Sequence, residues 1–165
     1  MSKKISYSGI LLGLNLLILL LINIIPINTL FLMGISSLII SIVIIEFGPR
    51  YGFIYYICLL ILSFIIMNNK AQWVLYCITF GIYGLIKYYI ESDISIYIEY
   101  ILKLLFTNTV IAIAYFMLRS FIYIKLNIFM IIIFNIVFLI YDKVYSSFID
   151  YYNKKLRNNL KIKRL

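Results

Sequence analysis

Residues 5–25 read ISYSGILLGLNLLILLLINII and carry no charge. An α-helix needs roughly 20 mostly apolar residues to cross a hydrocarbon core, and this stretch has that length. Pro26 closes it, because proline has no amide hydrogen and cannot continue a helix. Lys3 and Lys4 in front of the run give it the look of a secretory leader. No small-residue cleavage site follows, so the run is expected to be retained as a first membrane helix.

Working outward, helix-breaking and polar residues cut the rest into five further runs. The second runs from about Thr29 to Ile45 and stops at Glu46-Phe47-Gly48-Pro49-Arg50, where charge, glycine and proline coincide. The third covers about Tyr51 to Met67, ending at Asn68-Asn69-Lys70, and the fourth runs from Ala71 to about Ile90, before Glu91-Ser92-Asp93. The fifth spans roughly Tyr97 to Leu118 and the sixth roughly Phe121 to Tyr141, with Arg119 between them. The expectation is an all-α polytopic membrane protein, a six-transmembrane-helix bundle over residues 1–141. A cytoplasmic, amphipathic basic helix over 142–165 follows it.

Composition excludes most other classes. Of 165 residues, 65% are hydrophobic and 13% charged, whereas soluble domains run near 45–50% and about 25%. The excess apolar surface has to face lipid, which argues against a soluble enzyme or a nucleic-acid-binding module. There is no histidine, so the commonest metal ligand and the usual neutral-pH proton shuttle are missing. No P-loop, GxGxxG, GxSxG or HExxH occurs. Catalytic residues, a metal and a cofactor are therefore not expected. Cys58 and Cys77 lie in apolar runs without metal-ligand spacing and read as buried hydrophobes. Heavy use of Ile, Asn, Lys, Tyr and Phe fits an AT-rich bacterial genome.

The net charge of +9 is placed mainly at the chain ends. Lys3 and Lys4 precede the first run, while Lys143, Lys154, Lys155, Arg157, Lys161, Lys163 and Arg164 follow the last. Lysine and arginine flanking spans stay on the cytoplasmic side, so both termini are expected inside, which requires an even number of spans. Arg50 and Lys87 then fall in inner loops; Lys70, Arg119 and Lys125 fall outside, against the rule. After Tyr141, apolar positions from Val144 to Leu160 recur at helical spacing between basic residues. This segment either continues the sixth span or lies on anionic lipid.

Polar groups inside lipid need partners. Asn15, Asn108, Thr109 and Asn135 sit near mid-span and are expected to face inward and bond between helices. Glu99 and Lys103, four apart, read as an ion pair with Lys103 reaching outward to the interface. Ser6, Gly9 and Gly13 form a small-residue stripe along the first run, suited to close approach by another helix. Gly81 and Gly84 thin the fourth. On this topology the outer surface gathers Asn28 and Thr29, then Asn68, Asn69, Lys70, Gln72 and Trp73, then Arg119, Tyr123, Lys125 and Asn127. Trp73 and Tyr123 suit an interfacial aromatic belt. Together with the amides and cations they also suit a small polar or anionic solute.

In the order of these features the chain resembles the substrate-binding S component of energy-coupling-factor transporters. The resemblance rests on Ser6-x-x-Gly9-x-x-x-Gly13, on Ile25-Pro26-Ile27-Asn28 after the first span, and on Phe47-Gly48-Pro49-Arg50-Tyr51-Gly52 after the second. It covers the whole chain as layout. The family's first-helix stripe is usually alanine-rich, whereas this one is built of serine and glycine. The first half is also similar to the YybS-like bacterial membrane family. The resemblance implies a six-helix subunit with both ends inside, taking up a small molecule such as a vitamin. Gly9 and Gly13 would then pack on a transmembrane coupling subunit, ATP would be hydrolysed by separate ATPase subunits, and the outer loops would hold the solute. The alternative is a structural or assembly membrane protein that binds only lipid and other proteins.

Overall fold

Proline and glycine set the turns. Pro26 opens a single 3-10 turn, Pro26–Asn28, and the Thr29 hydroxyl donates to the Pro26 carbonyl at 2.7 Å. That turn joins α1 (Ser2–Ile24) to α2 (Thr29–Phe47). Gly48 ends α2 with φ of 91°, a left-handed backbone that favours glycine, and its amide donates to Ile44 O at 2.8 Å. Pro49 then occupies the first turn of α3 (Pro49–Ile66), where its missing amide hydrogen costs nothing.

The computed structural model describes residues 2–92, 94–119 and 127–157. After α3 come α4 (Lys70–Tyr76), a π turn over Cys77–Gly81 and α5 (Ile82–Ile90), which together make the fourth span. Then follow α6 (Ile96–Arg119) and α7 (Ile128–Tyr151), the latter running on into a π turn over Tyr152–Leu156. The described residues contain helix and no strand. Six helical stretches are long and apolar enough to cross a membrane, the last being Ile128–Lys155. The chain is a multi-pass membrane protein of all-α class. Among the described residues the sixth span begins at Ile128, and the expected start at Phe121 lies outside them. Past Tyr141 the helix does not break, so residues 142–151 prolong the sixth span.

The described residues divide into two units, one drawn from Met1–Ile86 with Ser147–Leu165, the other from Lys87–Ser146. In the first, α1, α2 and α3 pack around Leu19, Ile22, Met33, Ile40, Val43 and Leu59, all essentially inaccessible, with Tyr76 from α4. Gly52 lets α3 approach α2 closely: a β-carbon there would overlap Ile44. Gly81 serves the π turn in the same way, since a β-carbon would lie 3.0 Å from the Tyr56 ring and 3.2 Å from the Tyr76 carbonyl. In the second unit, by contrast, the apolar windows of α6 and α7 are each only 11% buried.

Two glycine variants separate these roles. Gly52→Ala is expected to destabilise the protein in detergent by about 1–3 kcal/mol through overpacking. Gly9→Ala, with no atom of the described residues within 4 Å of the added carbon, should be neutral or stabilising by up to about 1 kcal/mol. Thermal melts of the two purified variants check the contrast.

Candidate functional site

The residues expected at the outer mouth hold the turns of the first unit. Asn69 caps α4, its side-chain oxygen accepting from the amides of Ala71 at 3.0 Å and Gln72 at 3.3 Å. The Lys70 ammonium donates to the carbonyls of Phe64 and Met67 and sits 4.3 Å from the Phe64 ring centroid. It closes the carbonyl end of α3, where a cation is favoured. Trp73 donates its indole N–H to Leu60 O at 3.2 Å and Ser63 Oγ at 3.1 Å, so it ties α4 to α3. Asn23 reaches from α1 to the same turn, donating to Ile66 O at 2.8 Å and accepting the Asn68 amide at 3.1 Å.

Asn28, Thr29, Asn68, Asn69, Lys70, Gln72 and Trp73 thus lie at turns of one unit, with Asn28 and Asn68 exposed and Gln72 half-buried. Asn127 belongs to the other unit, where its carbonyl accepts the Met130 amide at 2.9 Å as α7 begins. Arg119 is the last residue of α6. Tyr123 and Lys125 lie outside the described residues.

Ser6, Gly9 and Gly13 line an outward face of α1, and all three are exposed. Ile5, Ile10, Leu17 and Ile24 flank them, each more than 60% exposed. Among the described residues nothing lies within 4 Å of a β-carbon added at Gly9 or Gly13.

Among the described residues, two polar clusters are buried. In the first unit Asn15 donates to Ser36 O at 3.1 Å and to the Tyr55 hydroxyl at 3.2 Å, and it accepts from Ser36 Oγ. The Tyr55 hydroxyl passes its own hydrogen to Leu11 O at 3.0 Å. Because the Ser36 hydrogen is committed to Asn15, the Tyr76 hydroxyl, 2.8 Å away, donates to Ser36 Oγ. The cluster joins α1, α2, α3 and α4 at atoms that no water reaches. Nearby serines return their hydroxyl hydrogen to their own helix: Ser41 Oγ donates to Leu38 O at 2.6 Å and Ser63 Oγ to Leu60 O at 3.1 Å.

The second cluster lies in the other unit and is ionic. The Lys87 ammonium contacts Glu91, Asp142 and Ser146, and the Lys103 ammonium contacts Glu91, Glu99 and Asp142. Asp142 bridges them, with Oδ1 on Lys87 and Oδ2 at 2.8 Å from Lys103. The side chains of Lys87 and Lys103 are only 1% and 2% exposed. Lys103 stands seven residues into α6, about 10 Å along its axis. Lys87 was expected in a loop and Lys103 at the interface; both are buried within helices instead, because Asp142 on α7 supplies a shared counter-charge. Asp142 was expected at the start of the cytoplasmic tail. Its partner Lys87 is 55 residues away in the chain, so no local spacing marks the pair.

The remaining mid-span polar residues divide. Asn15 is buried as expected. Asn108 and Thr109 are exposed and Asn135 is half-buried; Asn135 donates to Asn108 Oδ1 at 3.2 Å between α7 and α6. Cys77 is buried, but Cys58, expected inside, is exposed on α3.

No family model, curated protein or solved structure matches this chain. Among the described residues no group of three or more acidic or cysteine side chains is placed to hold a metal ion.

Of the two clusters, the neutral one is testable by truncation. Asn15→Ala removes three hydrogen bonds and leaves the Ser36 carbonyl without its partner. A loss of about 1–3 kcal/mol is expected, read by denaturation of the purified protein in mixed micelles. Stability equal to the parent's would show that the cluster contributes nothing to the packing of the first unit.

Proposed function

We propose that this chain is the solute-binding subunit of a bacterial cell-membrane transporter, working with a transmembrane coupling subunit and separate ATPase subunits. The observation that carries the reading is the exposed Ser6-Gly9-Gly13 face of α1. A helix otherwise dense in leucine and isoleucine presents one strip without side-chain bulk, and nothing among the described residues lies against its glycines. In lipid there is little hydrophobic gain from helix association, so close backbone approach over small residues is what favours it. A coupling subunit's helix is the occupant such a strip fits.

The solute would enter from the side of the Pro26 and Asn68-Asn69 turns, with both termini in the cytoplasm. Asn28, Asn68 and Gln72 make no side-chain hydrogen bond among the described residues, so their amides are free to recognise a small polar molecule such as a vitamin. The competing reading, a structural or assembly protein without a solute, draws on Lys70, Asn69 and Trp73, which hold turns within the chain.

Affinity purification from gently solubilised membranes distinguishes the two. ATPase subunits should co-purify with the wild-type chain. They should be lost from Gly9→Leu, whose melting temperature should stay at the parental value because the added side chain points away from the fold. A vitamin and nucleobase panel should contain at least one compound that raises the melting point, since a ligand that binds only the folded state stabilises it. Retention of the same partners by Gly9→Leu removes the stripe from the argument. Absence of both ATPase subunits and a stabilising solute leaves the structural reading.

A further inference from the structure

We infer that the Lys87–Asp142–Lys103 cluster is a proton-controlled latch, holding the ends of α5, α6 and α7 together in the second unit and loosening them on acidification. The inference stands independently of whether the chain carries a solute.

The cluster is closed at its centre. Each ammonium has three N–H donors and each makes three contacts to acceptors: Glu91, Asp142 and Ser146 for Lys87, and Glu91, Glu99 and Asp142 for Lys103. The groups facing the two ammoniums come from every packed element. They include Glu91 after α5, Glu99 on α6, and Asp142, Ser146 and the Tyr145 ring, 5.9 Å from Lys87, on α7. Lys143 follows Asp142 on α7 and is exposed. Both ammoniums thus depend on carboxylates for their counter-charge, and Asp142 serves the two at once.

Each carboxylate that takes up a proton withdraws a counter-charge from a buried ammonium, which the surroundings solvate poorly, so acidification loosens the cluster. Protons have a route in: the Glu91 and Glu99 side chains are 31% and 22% exposed, whereas that of Asp142 is 7% exposed. Little else would hold the unit closed. The apolar windows of α6 and α7 are each only 11% buried, and among the described residues their other ties include the Asn108–Asn135 amide pair and the Phe106–Phe138 ring contact at 6.0 Å.

Hydrogen exchange read by mass spectrometry, on the full chain in lipid nanodiscs, tests this. Rates are compared between about pH 8 and about pH 4.5, after correction for intrinsic exchange, across the range in which glutamates titrate. Wild type should show exchange in 87–104 and 138–146 rising about tenfold on acidification, while 30–45 in the first unit stays protected, as a local opening requires. Glu99→Gln, which permanently removes one counter-charge of Lys103, should move the midpoint to higher pH. Asp142→Asn should be open in these segments at both pH values. Three results would overturn the latch: equal wild-type protection at both pH values, a rise spread evenly over both units, or an unshifted Glu99→Gln midpoint.

Discussion

A polar group inside hydrocarbon has no water to fall back on, and the internal arrangement of this protein follows from that constraint. Backbone groups meet it through helix formation, which is why the apolar runs form helices among the described residues. Side chains meet it by local return to their own helix, as Ser41 and Ser63 do, or by pairing with another span. Among the described residues, Ser8 Oγ is the buried side-chain oxygen left without a partner.

The two units meet the requirement with different chemistry. The first uses neutral groups, with Tyr76 donating to Ser36, Ser36 to Asn15 and Asn15 to Tyr55 beside a core of aliphatic side chains. Neutral networks add direction to packing that already exists. The second unit has little apolar burial to direct and places two lysines against three carboxylates. Charge attraction is strong at low dielectric, but it is only as durable as the protonation state of its members. A third polar contact, Arg157 Nε to Glu46 Oε1 at 3.2 Å, shared with the Tyr152 hydroxyl at 3.2 Å, seats the last described turn of the chain within the first unit. This accounts for one face of the basic tail and leaves Lys154 and Lys155 exposed.

These arrangements also sort the functional candidates. A residue already committed to a turn, such as Asn69 capping α4 or Lys70 on the carbonyls ending α3, has less to offer a ligand than an uncommitted amide such as Gln72. A glycine that the fold needs, such as Gly52 against Ile44, differs in kind from Gly9 and Gly13, near whose added β-carbons no described residue lies within 4 Å. The proposal of a partner subunit rests on that outward small-residue face.

Much of this was legible in the residues and some was not. Pro26, Gly48 and Pro49 announce their turns because their backbone restrictions are properties of single residues. The length and apolarity of each run set the six spans, since the bilayer imposes one length on any helix that crosses it. Asn15 could be recognised as a residue in need of a partner. The identity of that partner could not, nor could the burial of Lys87 and Lys103 around Asp142 or the exposure of Cys58, Asn108 and Thr109. Each depends on how a helix is turned about its own axis, and that rotation is set by contacts with spans distant in the chain. Sequence by itself therefore determined where the chain crosses and bends, which are local quantities. Tertiary structure alone decided which polar groups meet, because pairing is a property of two helices at once.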